Sequence, residues 1–222
     1  IEPKTMKALG VIPARYASTR LPGKPLVPIA GKPMIERVWE RVCRATSLSS
    51  VVVATDDERI CSAVRAFGGE AVLTRSDHRS GTERVAEVAV AYKDIEIFVN
   101  VQGDEPLIEP AAIDQAVEAM REDATVKVAT LAVPISNPAD IMDPNVVKTV
   151  LDFDGNGLYF SRAPIPWVRD RSSPVHARHL KHLGLYVYRR DALLEFPTFP
   201  QGDLERVEQL EQLRWLENGY RI

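Results

Sequence analysis

The chain has 222 residues, 45% of them hydrophobic and 27% charged, with a net charge of −3. A chain of this length buries roughly 70% of the surface its unfolded form exposes, so a core is within reach. The slightly acidic balance excludes a nucleic-acid-coating surface, no apolar run approaches the ~20 residues of a membrane span, and the first ten residues lack a signal-peptide core.

Residues 8–12 form an apolar run ending at Pro13, which predicts a buried strand feeding a loop. Pro33 can open the next helix, where Met34, Ile35, Val38, Trp39 and Val42 recur at helical spacing. "VVVATDD" at 51–57 predicts a second strand, closed by two carboxylates. A helix over 58–67 is stopped by Gly68-Gly69, and 70–73 is a third short strand. "SGTERVAEVAVAY" carries apolar residues at helical spacing behind an expected Thr82 cap. "IEIFVNVQ" at 95–102 is the most β-like run and ends at "GDEP". This βαβαβαβ order argues a mostly parallel sheet with helices on both faces. Ligands of such sheets bind beyond the carboxyl ends of the strands. The loop at 13–25, Thr55-Asp56-Asp57 and Gly103-Asp104-Glu105 should therefore share one rim.

From about residue 126 the pattern changes: "VKVATLAVPI", "NVVKTVLDFDGNGLYFSR" and "HLGLYVYRR" are strands in a row. They predict an antiparallel addition to the sheet, a candidate dimerising part. "DLERVEQLEQLRWLENG" predicts one helix with Asp203 near its start and Gly219 at its end, so Glu208, Glu211 and Gln212 fall at i, i+3, i+4 on one side. Cys43 and Cys61 sit inside helical patterns and read as buried, reduced thiols of a cytosolic protein.

"VIPARYASTRLPGKPL" at 11–26 gathers Arg15, Arg20 and Lys24 with Ser18 and Thr19. It is no P-loop, because Lys24 is followed by Pro25. Guanidinium forks and a point-charge ammonium suit a polyphosphate, against the alternative of a solvated basic loop. In "NVQGDEP", Gly103 permits a sharp turn and Asp104 projects a carboxylate from the rim, as a Mg²⁺ site facing a nucleotide requires; the alternative is a helix cap. "DFDGNG" at 152–157 imitates a calcium loop, but Ala163 stands at its twelfth position, so a hairpin turn is expected. His182 either faces the rim or is a plain structural histidine. No nucleophile–histidine arrangement supports covalent catalysis.

Taken together, "IPARYASTRLPGKPL", "GKPMI", "VATDD", "SGTERVAEV", "NVQGDEPLI", "YFSRAPIPW", "KHLGLYVYR" and "LEQLRWLENG" run in order from Leu9 to Gly219. This series resembles the 3-deoxy-manno-octulosonate (Kdo) cytidylyltransferases. The resemblance implies CTP + Kdo → CMP-Kdo + diphosphate, dependent on Mg²⁺, in lipopolysaccharide biosynthesis. It also implies a cytoplasmic homodimer with a nucleotide-diphospho-sugar transferase-like three-layer α/β fold, in which 1–222 form one domain. About 7–125 would be the nucleotide-binding half, and about 126–222 the sugar-binding and dimerisation part. Carried over by position, Arg15 and Lys24 hold the triphosphate with Ser18 and Thr19 beside them, and Arg75, Ser80 and Gly81 read cytosine and ribose. Asp104 is a magnesium ligand and Gln102 lies beside nucleotide and reacting sugar. Arg162, His182, Tyr186, Glu208, Glu211 and Gln212 form the Kdo wall. The family continues past "LENGYRI" with a segment that carries a second magnesium ligand, which this sequence lacks. Rival readings are the same chemistry on an amino-Kdo analogue, where the Glu208/Glu211 acids would suit an ammonium, and a CTP-binding protein without catalysis. A glycosyltransferase would need the D-x-D that Asp104-Glu105-Pro106 does not provide.

Overall fold

Ala8–Ala14 (β1) is a strand buried almost throughout, as its apolar run demands. A computed structural model describes residues 6–17, 21–170 and 178–222. After a 3₁₀ turn at Lys24–Leu26 come Pro28–Ile29 (β2) and Lys32–Pro33 (β3), paired antiparallel. Met34–Val42 (α1), Ser50–Thr55 (β4), Glu58–Ala66 (α2), Glu70–Leu73 (β5), Gly81–Ala91 (α3) and Ile97–Val101 (β6) then alternate. Pro110–Glu122 (α4) is a helix that the sequence reading passes over, although Pro110 opens it and Ile113, Ala116, Val117 and Met120 mark its buried face.

The chain packs as two compact units: the chain up to Ala129 with Leu185–Thr198, and Thr130–Gly184 with Phe199–Ile222. In the first, β5-β4-β1-β6 pair in parallel, with β1 inside the sheet. Leu185–Arg189, the second half of Leu180–Arg189 (β10), runs antiparallel to β6. Arg190–Glu195 (α6, numbered in chain order below) and a 3₁₀ turn at Phe196–Thr198 follow it. Leu9, Val11, Val52, Val53, Phe98 and Val99 are closed to solvent, as expected of a sheet covered on both faces. Cys61 is buried, but Cys43 is exposed, because it lies at the C-cap of α1 and not on its buried face.

Val128–Pro134 (β7) leads into the second unit, where Ala139–Met142 (α5), Lys148–Leu151 (β8) and Gly157–Ser161 (β9) follow. β8 and β9 form an antiparallel hairpin, and Leu180 and Lys181 of β10 pair with Thr149 and Lys148. The "DFDGNG" turn is this hairpin's loop. The Asp152 carboxylate accepts from the backbone N–H groups of Asp154 and Asn156 and from the Asn156 side chain, and Gly155 takes φ 87°. Phe160, Leu210 and Leu213 form the core of this unit.

The single terminal helix expected from the sequence is two short ones, Asp203–Glu208 (α7) and Gln212–Glu217 (α8). Gln209 adopts a left-handed φ of 51° between them, which ends α7. Glu208, Glu211 and Gln212 therefore do not share one helix face, because the i, i+3, i+4 rule needs an unbroken helix.

Candidate active site

At the carboxyl end of β1, a cavity of about 160 Å³ is lined by Pro13, Ala14, Arg15, Lys24, Pro25, Gln102, Gly103 and Asp104. Two of the three segments expected on the rim thus meet here. The Lys24 Nζ lies 2.5 Å from Asp104 Oδ2, with the two side chains 38% and 48% exposed. The Arg15 guanidinium donates to the His78 carbonyl. Ser18, Thr19 and Arg20 lie outside the described residues.

Gly103 explains how Asp104 comes so near β1. A Cβ there would stand 2.8 Å from the Pro13 carbonyl oxygen, a distance side chains do not tolerate. The glycine serves close backbone approach; it is not among the residues of positive φ that a sharp left-handed turn would require. Asp104 is also no helix cap, since Glu109 holds that place at α4.

The loop's neck is braced. Gly23, at φ 72°, donates its N–H to the Tyr16 carbonyl at 2.8 Å and then hands the chain to the turn carrying Lys24. The Tyr16 ring lies under the Arg59 guanidinium, 3.2 Å from its centroid. Asp57 grips Arg59 through two bonds of 2.9 and 2.6 Å and caps α2 as well. The Arg59 hydrogen bonds hold the Asp57 carboxyl below the usual carboxylate range.

α3 begins beside this cavity. Ser80, rather than the expected Thr82, is its cap, with Oγ accepting from the Glu83 N–H at 3.2 Å. Thr82 is buried instead, hydrogen-bonded to the Tyr188 hydroxyl at 2.9 Å. Tyr186 is nearly buried and stacks on Tyr188 with ring centroids 6.0 Å apart. Arg75 points elsewhere: it pairs with Asp77 at 2.9 Å in a separate cavity of about 400 Å³ with His78, Arg79, Glu83 and Glu87. The structure also places two residues the sequence reading did not single out. Arg84 is fully buried, donating to Thr74 and standing 3.2 Å from Asp56. Its desolvation draws the guanidinium pKa down. The other is Asn100, buried on β6.

In the second unit the residues expected to bind sugar have internal partners. The Arg162 guanidinium donates to the carbonyls of Glu208 (2.7 Å), Pro144 (2.9 Å) and Gln209 (3.4 Å). The Glu208 carboxylate accepts from Ser161 Oγ at 2.6 Å and from the Arg162 N–H at 2.9 Å. His182 is buried, with Nε2 2.9 Å from Thr130 Oγ1 and its ring edge-on to Phe160. Burial pushes its pKa down to about 4, so it is neutral at physiological pH. Glu211 stands at the N-cap position of α8, and Gln212, the first residue of that helix, is buried. Lys148 is buried as well, with its ammonium donating to the Asp143, Val146 and Arg162 carbonyls.

Among the described residues, no group of three or more His, Cys, Asp or Glu side chains is gathered as a metal site. Asp104 offers a half-exposed carboxylate in a cavity that also holds two cations. That donor set fits Mg²⁺, which takes one or two protein carboxylates and completes its shell with phosphate oxygens and water.

The sequence pattern of the cytidylyltransferase family matches residues 9–222. The chain is 57% identical over 216 residues to the 3-deoxy-manno-octulosonate cytidylyltransferase of Solibacter usitatus, covering 97% of this chain and 84% of that one. It is 54% identical over 225 residues to the enzyme of the same name from Geotalea uraniireducens, covering 98% and 89%. A solved CMP:2-keto-3-deoxy-manno-octonic acid synthetase complexed with CTP superposes with a TM-score of 0.92 at 47% identity, over 97% of this chain and 88% of that one. The 4-diphosphocytidyl-2C-methyl-D-erythritol synthase of Anaerococcus prevotii, at 12% identity and a TM-score of 0.62, shares the fold.

Proposed function

The chain belongs to the cytidylyltransferase family, and we propose that it activates Kdo: CTP + Kdo → CMP-Kdo + diphosphate, supplying the sugar donor for lipopolysaccharide assembly. The observation that carries this reading is the likeness to a CTP-bound synthetase over 97% of the chain. The rim geometry agrees with it, because Arg15, Lys24 and Asp104 line one cavity at the end of β1.

In this reading the anomeric hydroxyl oxygen of Kdo bonds to the α-phosphorus of CTP. The bond from that phosphorus to the β-bridging oxygen breaks, pyrophosphate leaves with the electron pair, and the hydroxyl proton passes to solvent. No protein nucleophile is required. Arg15 and Lys24 neutralise the charge that gathers on the leaving group, a task suited to a guanidinium fork and a point-charge ammonium. Asp104 would hold Mg²⁺, which when bound neutralises phosphate charge and lowers the pKa of the attacking hydroxyl. Lys24 pairs with Asp104 in this structure and turns to the triphosphate when nucleotide arrives. Ser18 and Thr19 assist there, with Arg75, Ser80 and Gly81 on cytosine and ribose. Gln102, Tyr186, Arg162, His182, Glu208, Glu211 and Gln212 are assigned to the sugar. The working form in this reading is a cytoplasmic homodimer.

The test is pyrophosphate release from CTP. Release that requires Kdo and Mg²⁺ together supports the reading. Binding of CTP with no release under any combination overturns it in favour of a nucleotide-binding protein without catalysis.

A further inference from the structure

Buried polar atoms are nearly always hydrogen-bonded, so an exception next to residues of a functional rim marks a place that a ligand can complete. Asn100 is 1% exposed, and its Oδ1 has no hydrogen-bond partner among the described residues. It lies on β6, opposite Val11 of β1 and Tyr186 of β10. Residues two apart on a strand share a face, so its side chain lies on the side that carries Gln102 into the rim cavity. Gly81, the first residue of α3, covers it without a side chain. A Cβ there would stand 3.5 Å from Pro13 Cγ and 3.8 Å from the Asn100 amide nitrogen.

We propose that the Asn100 amide is a specificity-determining floor of the active site, with Oδ1 accepting a hydrogen bond from a hydroxyl of bound substrate. The proposal rests on the cytidylyltransferase reading. The chemistry selects the partner: an amide oxygen repels a phosphate oxyanion but accepts from a hydroxyl, and both Kdo and ribose supply hydroxyls. The fold alone would favour a different residue. Asparagine is a poor strand former, and an unpaired buried acceptor destabilises the chain that carries it, whereas an apolar side chain of similar size would do neither. A local choice that opposes the fold is what a binding site leaves behind.

The experiment uses the full chain with Asn100→Leu and Gly81→Ala, reading thermal midpoint without substrate, KM for CTP and KM for Kdo. Asn100→Leu removes no hydrogen bond to Oδ1 among the described residues, so its midpoint stays level or rises, while one KM rises about tenfold. A rise confined to Kdo assigns the hydroxyl to the sugar, and one confined to CTP assigns it to the ribose. Gly81→Ala meets only ordinary contact distances, so it raises the same KM without lowering the midpoint. A lowered midpoint for Asn100→Leu with both KM values unchanged makes the amide structural and overturns the proposal. Unchanged values throughout also overturn it. Should the parental chain release no pyrophosphate, the activity reading fails by itself. Calorimetric binding of CTP and of Kdo to parent and Asn100→Leu then decides, and equal binding overturns the proposal.

Discussion

The two units use their charged residues in opposite ways. At the rim of the first, Lys24 and Asp104 are well exposed and have each other for a partner. In the second, Arg162, Glu208 and Lys148 spend their polar atoms on backbone groups and neighbouring side chains. Glu205 and Arg214 form a buried pair with bonds of 2.7 and 2.6 Å. Exposed charges joined by one contact can exchange it for a ligand at little cost, because a surface ion pair contributes only about 0–1 kcal/mol. Buried charges such as Glu205 and Arg214 cannot, because each lost partner leaves a desolvated group behind. The rim of the first unit thus keeps a charge pair able to change partners, while Glu205, Arg214 and Lys148 of the second are committed to holding the chain.

The sharpest way to break this comparison is Arg214→Ala. It leaves Glu205 charged and buried, so unfolding by urea should show a loss of about 3–5 kcal/mol, and replacing both residues with leucine should recover most of it. A loss under 1 kcal/mol would mean that the pair is not desolvated. His182 provides the next effect, through pH. Its folded pKa of about 4 lies below the ordinary 6.5, so the unfolded chain takes up the proton first. Stability is therefore full above pH 6.5 and falls by about 3 kcal/mol as pH drops toward 4. A His182→Gln variant should lose that slope, and an unchanged slope would exclude His182 as its source. Lys24→Ala is the smallest in free energy. Pyrophosphate release should fall roughly ten- to a hundredfold, the worth of one charge-assisted hydrogen bond, with the thermal midpoint unmoved. A lowered midpoint instead would put Lys24 on the structural side of the comparison.

The alternation of strands and helices up to β6 was legible because burial on both sheet faces leaves continuous apolar runs bounded by Gly, Pro and carboxylates. The rim positions followed from that topology, and Arg15, Lys24 and Asp104 do meet there. The errors have physical causes. Thr82 and Ser80 are both cap formers two residues apart, and only the tertiary contact with Tyr188 decides which one enters the helix. The break at Gln209 was hidden because a non-glycine residue takes the left-handed conformation that usually announces itself as glycine. Arg84 and Arg214 passed without notice, because a sequence shows the charge but not the carboxylate that folding brings to it.

Near the chain's end, the Glu217 carboxylate of α8 accepts the backbone N–H groups of Leu204 and Glu205 at 3.0 and 3.2 Å, and so serves as the cap of α7. A Cβ at Gly202 would come within 2.2 Å of that carboxylate, so the glycine keeps the place open. Neither helix is long enough to persist alone in water. The capping contact therefore couples their opening: α8 cannot fray without uncovering the amides at the start of α7. In hydrogen exchange the two should gain and lose protection together, as one cooperative segment despite the break at Gln209.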